Sequence, residues 1–525
     1  MSNQQFNEKD GPRQRTAQRR PDEEAGLRPA ELHAPSSANS REPLNNYNHG
    51  EDGAPKHHLY PTRGGLIRFK DQFLRKGKRK VGTLASLSAI AFSSWLNVFI
   101  VFIPLSWVAH FNNSKNADEH FPYPLTFTFS LLAIIPLEKL FDYGGEQMAF
   151  YVGKDLGDLI VITLNNTVEA TLAIILLTKC EIRLLQSTII GVVVLHLLLI
   201  PGTAFIVGGA RLMSQHSLQI VSTVIPSVIQ DLHPHITELN HTLLTMGVLS
   251  LLLPAAFFAA LDRGSEAIST GASGDTFLKI SRGFAIILLV VYVCSRIFLH
   301  NPPGEDNALQ SNHQPNAPLA LKHEEEHLTN TEPEVNQWVC IGMLIVTIAL
   351  MAVTAEWLVD SIEFVREEGR ITEEWFGLIL LPIVSFAADG MVAIGCFVRW
   401  SIFHLFGRKT KPGTLAKARA IDLSIQFTLF WMPFFVLLGW WTNKPLSLLF
   451  DLYEVAVLIG SCFLVNYVTA DAKTNWAEGL TMVAFYLMIA LTTWFYRGQP
   501  EIEEMVQLGN FGISVAQHAD LIQLL

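Results

Sequence analysis

Apolar positions in this chain come in long continuous runs rather than in the alternating or one-faced patterns of a soluble fold. A helix needs about 20 residues to cross a hydrocarbon core. Runs of that order lie near 85–108, 124–141, 147–178, 182–210, 243–261, 276–299, 337–360, 372–401, 416–441, 448–468 and 476–496. The pattern predicts an all-α polytopic membrane protein of about 11 transmembrane helices. The run 147–178 contains Lys154, Asp155, Asp158, Asn165, Asn166 and Glu169, so it must face protein or water rather than lipid.

The polar stretches between the runs suggest an organisation. Residues 1–80 are rich in Arg, Pro, Asn and Glu and are expected to form a disordered cytosolic tail. Then come a leading helix (81–111), a first group of five runs (112–299), an acidic cytosolic linker (300–336), a second group of five (337–496) and a short tail (497–525). The basic segment 63–80 interleaves Leu66, Ile67, Phe69, Phe73 and Leu74 with its charges, which suits an anchor on anionic membrane lipid. Placing it in the cytosol also places the basic loop with Arg408, Lys409, Lys411 and Lys417 there, as the positive-inside rule requires, and sends the C-terminus to the lumen.

Composition narrows the chemistry. Only 16% of the 525 residues are charged and 50% are hydrophobic, against roughly 25% charged in soluble domains. No apolar segment before about position 60 resembles a cleavable signal. The five cysteines are scattered, with no CxxC pair, so neither a disulfide framework nor a zinc site is indicated. Asn112-Asn113-Ser114 forms a glycosylation sequon on the expected lumenal side. There is no Gly-rich phosphate loop, catalytic triad or nucleic-acid signature, so the expectation is a transporter without a cofactor, not an enzyme or a nucleic-acid binder.

A weak internal repeat carries the candidate chemistry. Segments 157–174 (GDLIVITLNNTVEATLAI) and 377–394 (GLILLPIVSFAADGMVAI) align without a gap, and each places an acid at the same point, Glu169 and Asp389. Each is the second run of its five-run group, and an odd number of spans per half inserts the halves in opposite orientations. Helical spacing puts Thr163, Asn166 and Glu169 on one stripe and Ser385 and Asp389 on its counterpart. Pro382 favours a break one turn before Ser385. Carboxylates, amide oxygens, hydroxyls and freed carbonyls form the oxygen-rich surroundings that a hard cation such as Ca2+ prefers, with Glu169 and Asp389 as the metal-holding carboxylates. The same two carboxylates can carry protons in its place, which is the chemistry of antiport.

At these segments the sequence resembles the cation/proton exchangers of the calcium/cation antiporter superfamily, the vacuolar Ca2+/H+ exchangers of fungi and plants. The likeness runs from about 140 to 496 through 145–174, 181–202, 250–257, 356–363, 375–390, 424–440 and 475–491. It implies one leading helix followed by two inverted five-helix repeats, an acidic organelle such as the vacuole, and Ca2+ and H+ as substrates. The first family motif, roughly Gly-Asn-Ala-x-Glu-Leu, stands here as Asn165 to Ala170, keeping Asn166 and Glu169. The second, roughly Gly-Asn-Ala-Ala-Glu-His, stands as Ser385 to Gly390, with Phe386 for the Asn, Asp389 for the Glu and Gly390 for the His.

The resemblance further implies Ser424 and Gln426 as site residues, Glu146 on an access path, and Leu195 and His196 where the family has Ser and Asn. Asp422 replaces a family Gly, and Glu356 is a further acid at the start of the second repeat. The expected activity is exchange of a divalent cation, Ca2+ in the first instance, for protons. Phe386 and Gly390 keep open a changed ion (Na+, K+ or Mn2+) or a scaffold that no longer transports, and the sequence leaves the oligomeric state open.

Overall fold

In hydrocarbon each backbone N–H and C=O must find its partner inside the segment, so long apolar runs fold as helices. The computed structural model describes residues 70, 73–74, 81–115, 123–152, 154–217, 230–231, 234–262, 272–300, 332–384, 387–388, 390–392, 395 and 419–499. Its helices are α1 (Thr83–Ala91), α2 (Phe102–Lys115), α3 (Tyr123–Val152), α4 (Lys154–Asn165), α5 (Thr167–Thr178), α6 (Ile182–Val194) and α7 (Ile200–Ser217). They continue with α8 (Pro234–Asp262), α9 (Ala272–His300), α10 (Gln337–Gly369), α11 (Arg419–Gln426), α12 (Met432–Trp441), α13 (Leu452–Val468) and α14 (Trp476–Trp494). A two-residue pair, β1 (Gln230–Asp231) and β2 (Lys473–Thr474), runs antiparallel.

Among the described residues eight helices are long and apolar enough to span a bilayer, and α4–α5, bent by 51°, makes a ninth. Their outer faces carry large apolar side chains such as Ile345 (62% exposed) and Leu491 (64%). Exposure on that scale is suited to lipid, not to water. The chain is an all-α polytopic integral membrane protein.

Several boundaries differ from those read off the sequence, three of them with a visible cause. The first run is broken: α1 ends at Ala91, and a 3-10 segment, Trp95–Val101, leads into α2. The break is tied by Asn97, whose amide donates to the carbonyls of Ile90 (3.0 Å) and Ala91 (3.1 Å). The second run does not stop near 141 but continues as α3 to Val152. The gap expected at 142–146 is helical, and Gln147 just beyond it is buried and accepts from the backbone N–H groups of Glu334 (2.8 Å) and Val335 (3.3 Å). The last residues of the acidic linker are thereby folded onto α3. Finally, the run expected from 448 becomes helical only at Leu452, after a non-helical, buried approach through Leu446–Phe450.

Contacts at the helix ends sort into two faces. At one, Tyr151 near the end of α3 donates to the Val335 carbonyl (2.6 Å), and Asn336, which caps α10, donates its backbone N–H to the Ser86 hydroxyl of α1 (2.9 Å). At the other, Arg183 at the start of α6 meets Glu374 (3.3 Å) and Asp451 (3.3 Å). Asp451 also caps α13 and accepts from Tyr496 (2.7 Å), and Ser187 donates to Glu454. This ionic cluster binds the ends of α6, the turn Glu373–Trp375, α13 and the segment after α14.

Three helices carry a π turn: Leu195–Leu199 between α6 and α7, Phe376–Leu380, and Phe427–Trp431 between α11 and α12. Backbones cross closely beside them. A Cβ on Gly191 would lie 2.3 Å from the Leu378 carbonyl oxygen, and one on Gly479 would lie 2.6 Å from that of Gly202. Only glycine permits these crossings, which bring α6 against the 376–380 segment and α7 against α14.

Candidate functional site

The break between α4 and α5 falls at Asn166, whose φ of −91° and ψ of 4° leave the helical region. An Asn at a helix N-cap normally turns its side chain onto the helix it starts. The Asn166 side chain makes no such bond. Its amide instead donates to Gln426 Oε1 (2.8 Å) and to the Leu423 carbonyl (3.3 Å), both on α11.

The hydrogen-bond directions fix which end of each amide points where. The Thr163 hydroxyl gives its proton to the Leu159 carbonyl (2.7 Å), so its oxygen can only accept from Gln426 Nε2 (2.9 Å). Gln426 spends its second N–H on the Tyr292 hydroxyl (3.0 Å) and its oxygen on Asn166. With both Asn166 donors committed, Oδ1 is left as the amide's outward acceptor, and among the described residues it has no hydrogen-bond partner. Asn166 (0% exposed) thus presents an oxygen, not an N–H, inside the protein.

Glu169 lies one turn further, in the first turn of α5, and is 3% exposed. His196, in the π turn after α6, brings Nε2 to 3.9 Å from Glu169 Oε1. The single stripe expected for Thr163, Asn166 and Glu169 is therefore folded. Thr163 sits on α4, Glu169 on α5, and the 51° bend at Asn166 joins them. The bend sets the C-terminal carbonyls of one half-helix and the N-terminal amides of the other at the same level, the arrangement discontinuous transporter helices use around ions.

The other expected site residues distribute unevenly. Ser424 is buried, with its hydroxyl toward the carbonyls of Ala420 (3.3 Å) and Val193 (3.5 Å), so it ties α11 to α6. Asp422 is half-buried in the first turn of α11. Glu146 is exposed on α3. Glu356 does not point into the core: it is exposed on α10, because the positions that α10 turns inward on that turn are Ala355 and Leu358. Ser385, Phe386 and Asp389 lie outside the described residues. Sequence reading missed Tyr292 (4% exposed), since a tyrosine within an apolar run carries no mark of polarity.

The model for the family described as "Sodium/calcium exchanger protein" matches residues 122–300 and 339–495, both halves of the membrane region. The chain belongs to this family. Among curated exchanger relatives, a vacuolar calcium ion transporter of Cryptococcus neoformans is 30% identical, covering 83% of this chain and 80% of that protein. A vacuolar calcium ion transporter of Schizosaccharomyces pombe is 28% identical over 87% of this chain and 97% of its own. A Ca(2+)/H(+) antiporter of Aphanothece halophytica is 28% identical over 77% and 97%. Native YfkE aligns structurally with a TM-score of 0.55 at 20% identity, over 76% of this chain and 100% of its own. The H+/Ca2+ exchanger CAX aligns with a TM-score of 0.51 at 12% identity, over 82% and 95%. At those identities the two structures establish a shared fold.

Proposed function

We propose that this exchanger moves Ca2+ out of the cytosol into an acidic compartment, the vacuole, in return for protons. The observation that carries the reading is Glu169, buried at 3% exposure where α4 and α5 break, one turn after Asn166, whose Oδ1 has no hydrogen-bond partner among the described residues. A carboxylate at membrane depth is expensive to keep and is retained where an ion is handled. The names of the curated relatives, vacuolar calcium ion transporter and Ca(2+)/H(+) antiporter, point the same way.

In this reading Glu169 and Asn166 supply oxygens from the first half, and Asp389 and Ser385 supply them from the second. Two carboxylates neutralise a divalent ion, and protons neutralise them when it leaves. Cation and protons therefore exclude one another from the same oxygens, and that exclusion is the coupling. His196, 3.9 Å from Glu169, adds a second protonatable group to the pocket. The plan is eleven spans, a leading helix and two inverted repeats of five, with the N-terminus cytosolic and the C-terminus lumenal. Residues 300–336 form the cytosolic linker between the repeats.

The test is Ca2+ uptake by the purified chain in vesicles under an imposed pH gradient. Uptake that depends on the gradient and is lost in Glu169→Gln and in Asp389→Asn is expected. Absence of gradient-driven uptake, or full uptake in both variants, overturns the reading.

A further inference from the structure

We infer that Tyr292, on the last helix of the first half, is a positioning residue for the cation site and acts through Gln426. The inference rests on the site reading above. Gln426 is buried with three hydrogen bonds, to Asn166, Thr163 and Tyr292, and these use its oxygen and both N–H groups. Each does a different job. Thr163 accepts only, because its own proton is held by the Leu159 carbonyl, so it selects the amide orientation. Asn166 takes the oxygen. Tyr292 accepts the remaining N–H, which would otherwise be buried without a partner.

Leaving a buried donor unsatisfied is costly, and an amide relieves it by rotating or withdrawing. Rotation of Gln426 by half a turn would set its Nε2 against Asn166 Nδ2, donor against donor. Asn166 would then have no reason to keep Oδ1 outward. The tyrosine hydroxyl thus reaches the cation through two amides without touching it. The ring itself is held independently, at 5.5 Å from the Phe430 ring and with the Arg296 guanidinium 4.9 Å from its centroid. Removing the oxygen alone therefore leaves the packing in place. Tyr292 also makes the site depend on the seating of α9, an element that contributes no ligand in the proposed reaction.

The experiment measures gradient-driven Ca2+ uptake by the full chain in vesicles, recording apparent KM and maximal rate. Tyr292→Phe is expected to raise KM roughly three- to tenfold, the scale of one lost hydrogen bond, with the maximal rate falling less than twofold. In a Gln426→Leu background the same change is expected to add nothing, because the amide it positions is gone. Tyr453→Phe, which loses hydrogen bonds to Thr492 and Thr493 elsewhere, is expected to keep the parental KM. A parental KM in Tyr292→Phe overturns the inference. So does an undiminished effect in the Gln426→Leu background, or an equal KM rise in Tyr453→Phe. Glu169→Gln is run beside them: if it transports like the parent, the site reading falls. If it is silent while Tyr292→Phe matches the parent, only the role of Tyr292 falls.

Discussion

Asn166 is the residue on which the local chemistry turns, because it breaks the helix with its backbone and holds a buried side-chain oxygen that no described group hydrogen-bonds. The two roles separate under substitution. Asn166→Leu strips a donor pair from the Leu423 carbonyl and Gln426 Oε1, both buried, at about 1–3 kcal/mol for each group left unsatisfied. We expect a lower unfolding temperature in detergent and no Ca2+ uptake. Asn166→Asp keeps an oxygen facing inward but cannot donate to Gln426. It is expected to retain measurable uptake only at KM values at least roughly tenfold higher. Asn166, Glu169 and Thr163 stood out in the sequence as polar groups inside an apolar run, and Gln426 came from the family resemblance. The split of the stripe at Asn166 was not, since Asn is as much a helix interior as a helix cap until its side chain is seen to bond elsewhere.

At the scale of helices, what holds the arrangement is close backbone approach at one level and charge at another. Gly191→Ala would press a methyl onto the Leu378 carbonyl at 2.3 Å, and a backbone atom cannot yield as a side-chain tip can. Overpacking of this kind costs about 1–3 kcal/mol. The expected result is a fall of several degrees in unfolding temperature, measured by thermal denaturation in detergent. Arg183 faces Glu374 and Asp451, with side chains only 10%, 10% and 0% exposed. Arg183→Met leaves those acids without their cation, a loss of about 3–5 kcal/mol. Adding Glu374→Gln and Asp451→Asn to it is expected to recover most of the stability, because the destabilising element is the uncompensated charge. None of this was visible in sequence, where Arg183 and the two acids read as the margins of separate runs. Helix existence was readable from run length. Helix boundaries were not wherever polar residues such as Gln147 proved to be buried and paired.

For the molecule as a whole, the described residues all belong to the unit Pro61–Leu525. Removing residues 1–60 is therefore expected to leave Ca2+ uptake and unfolding temperature at parental values, measured side by side in vesicles and in detergent. A scaffold that worked through its tail would lose its function instead. The π turns matter at this scale too. At Leu195–Leu199 the turn closes with the Ile200 N–H on the Leu195 carbonyl, one residue more than an α turn holds. Each residue of an α-helix advances the side chains by about 100°. Closing this turn as α with every residue kept would rotate everything beyond it by about that angle, carrying Gly202 away from Gly479 and Phe205 out of the core. The span would be just as apolar, yet the face it now buries would be turned away from its neighbours. Such a helix has a reading frame, much as a coding message does, and the π turn takes in one extra letter without shifting it.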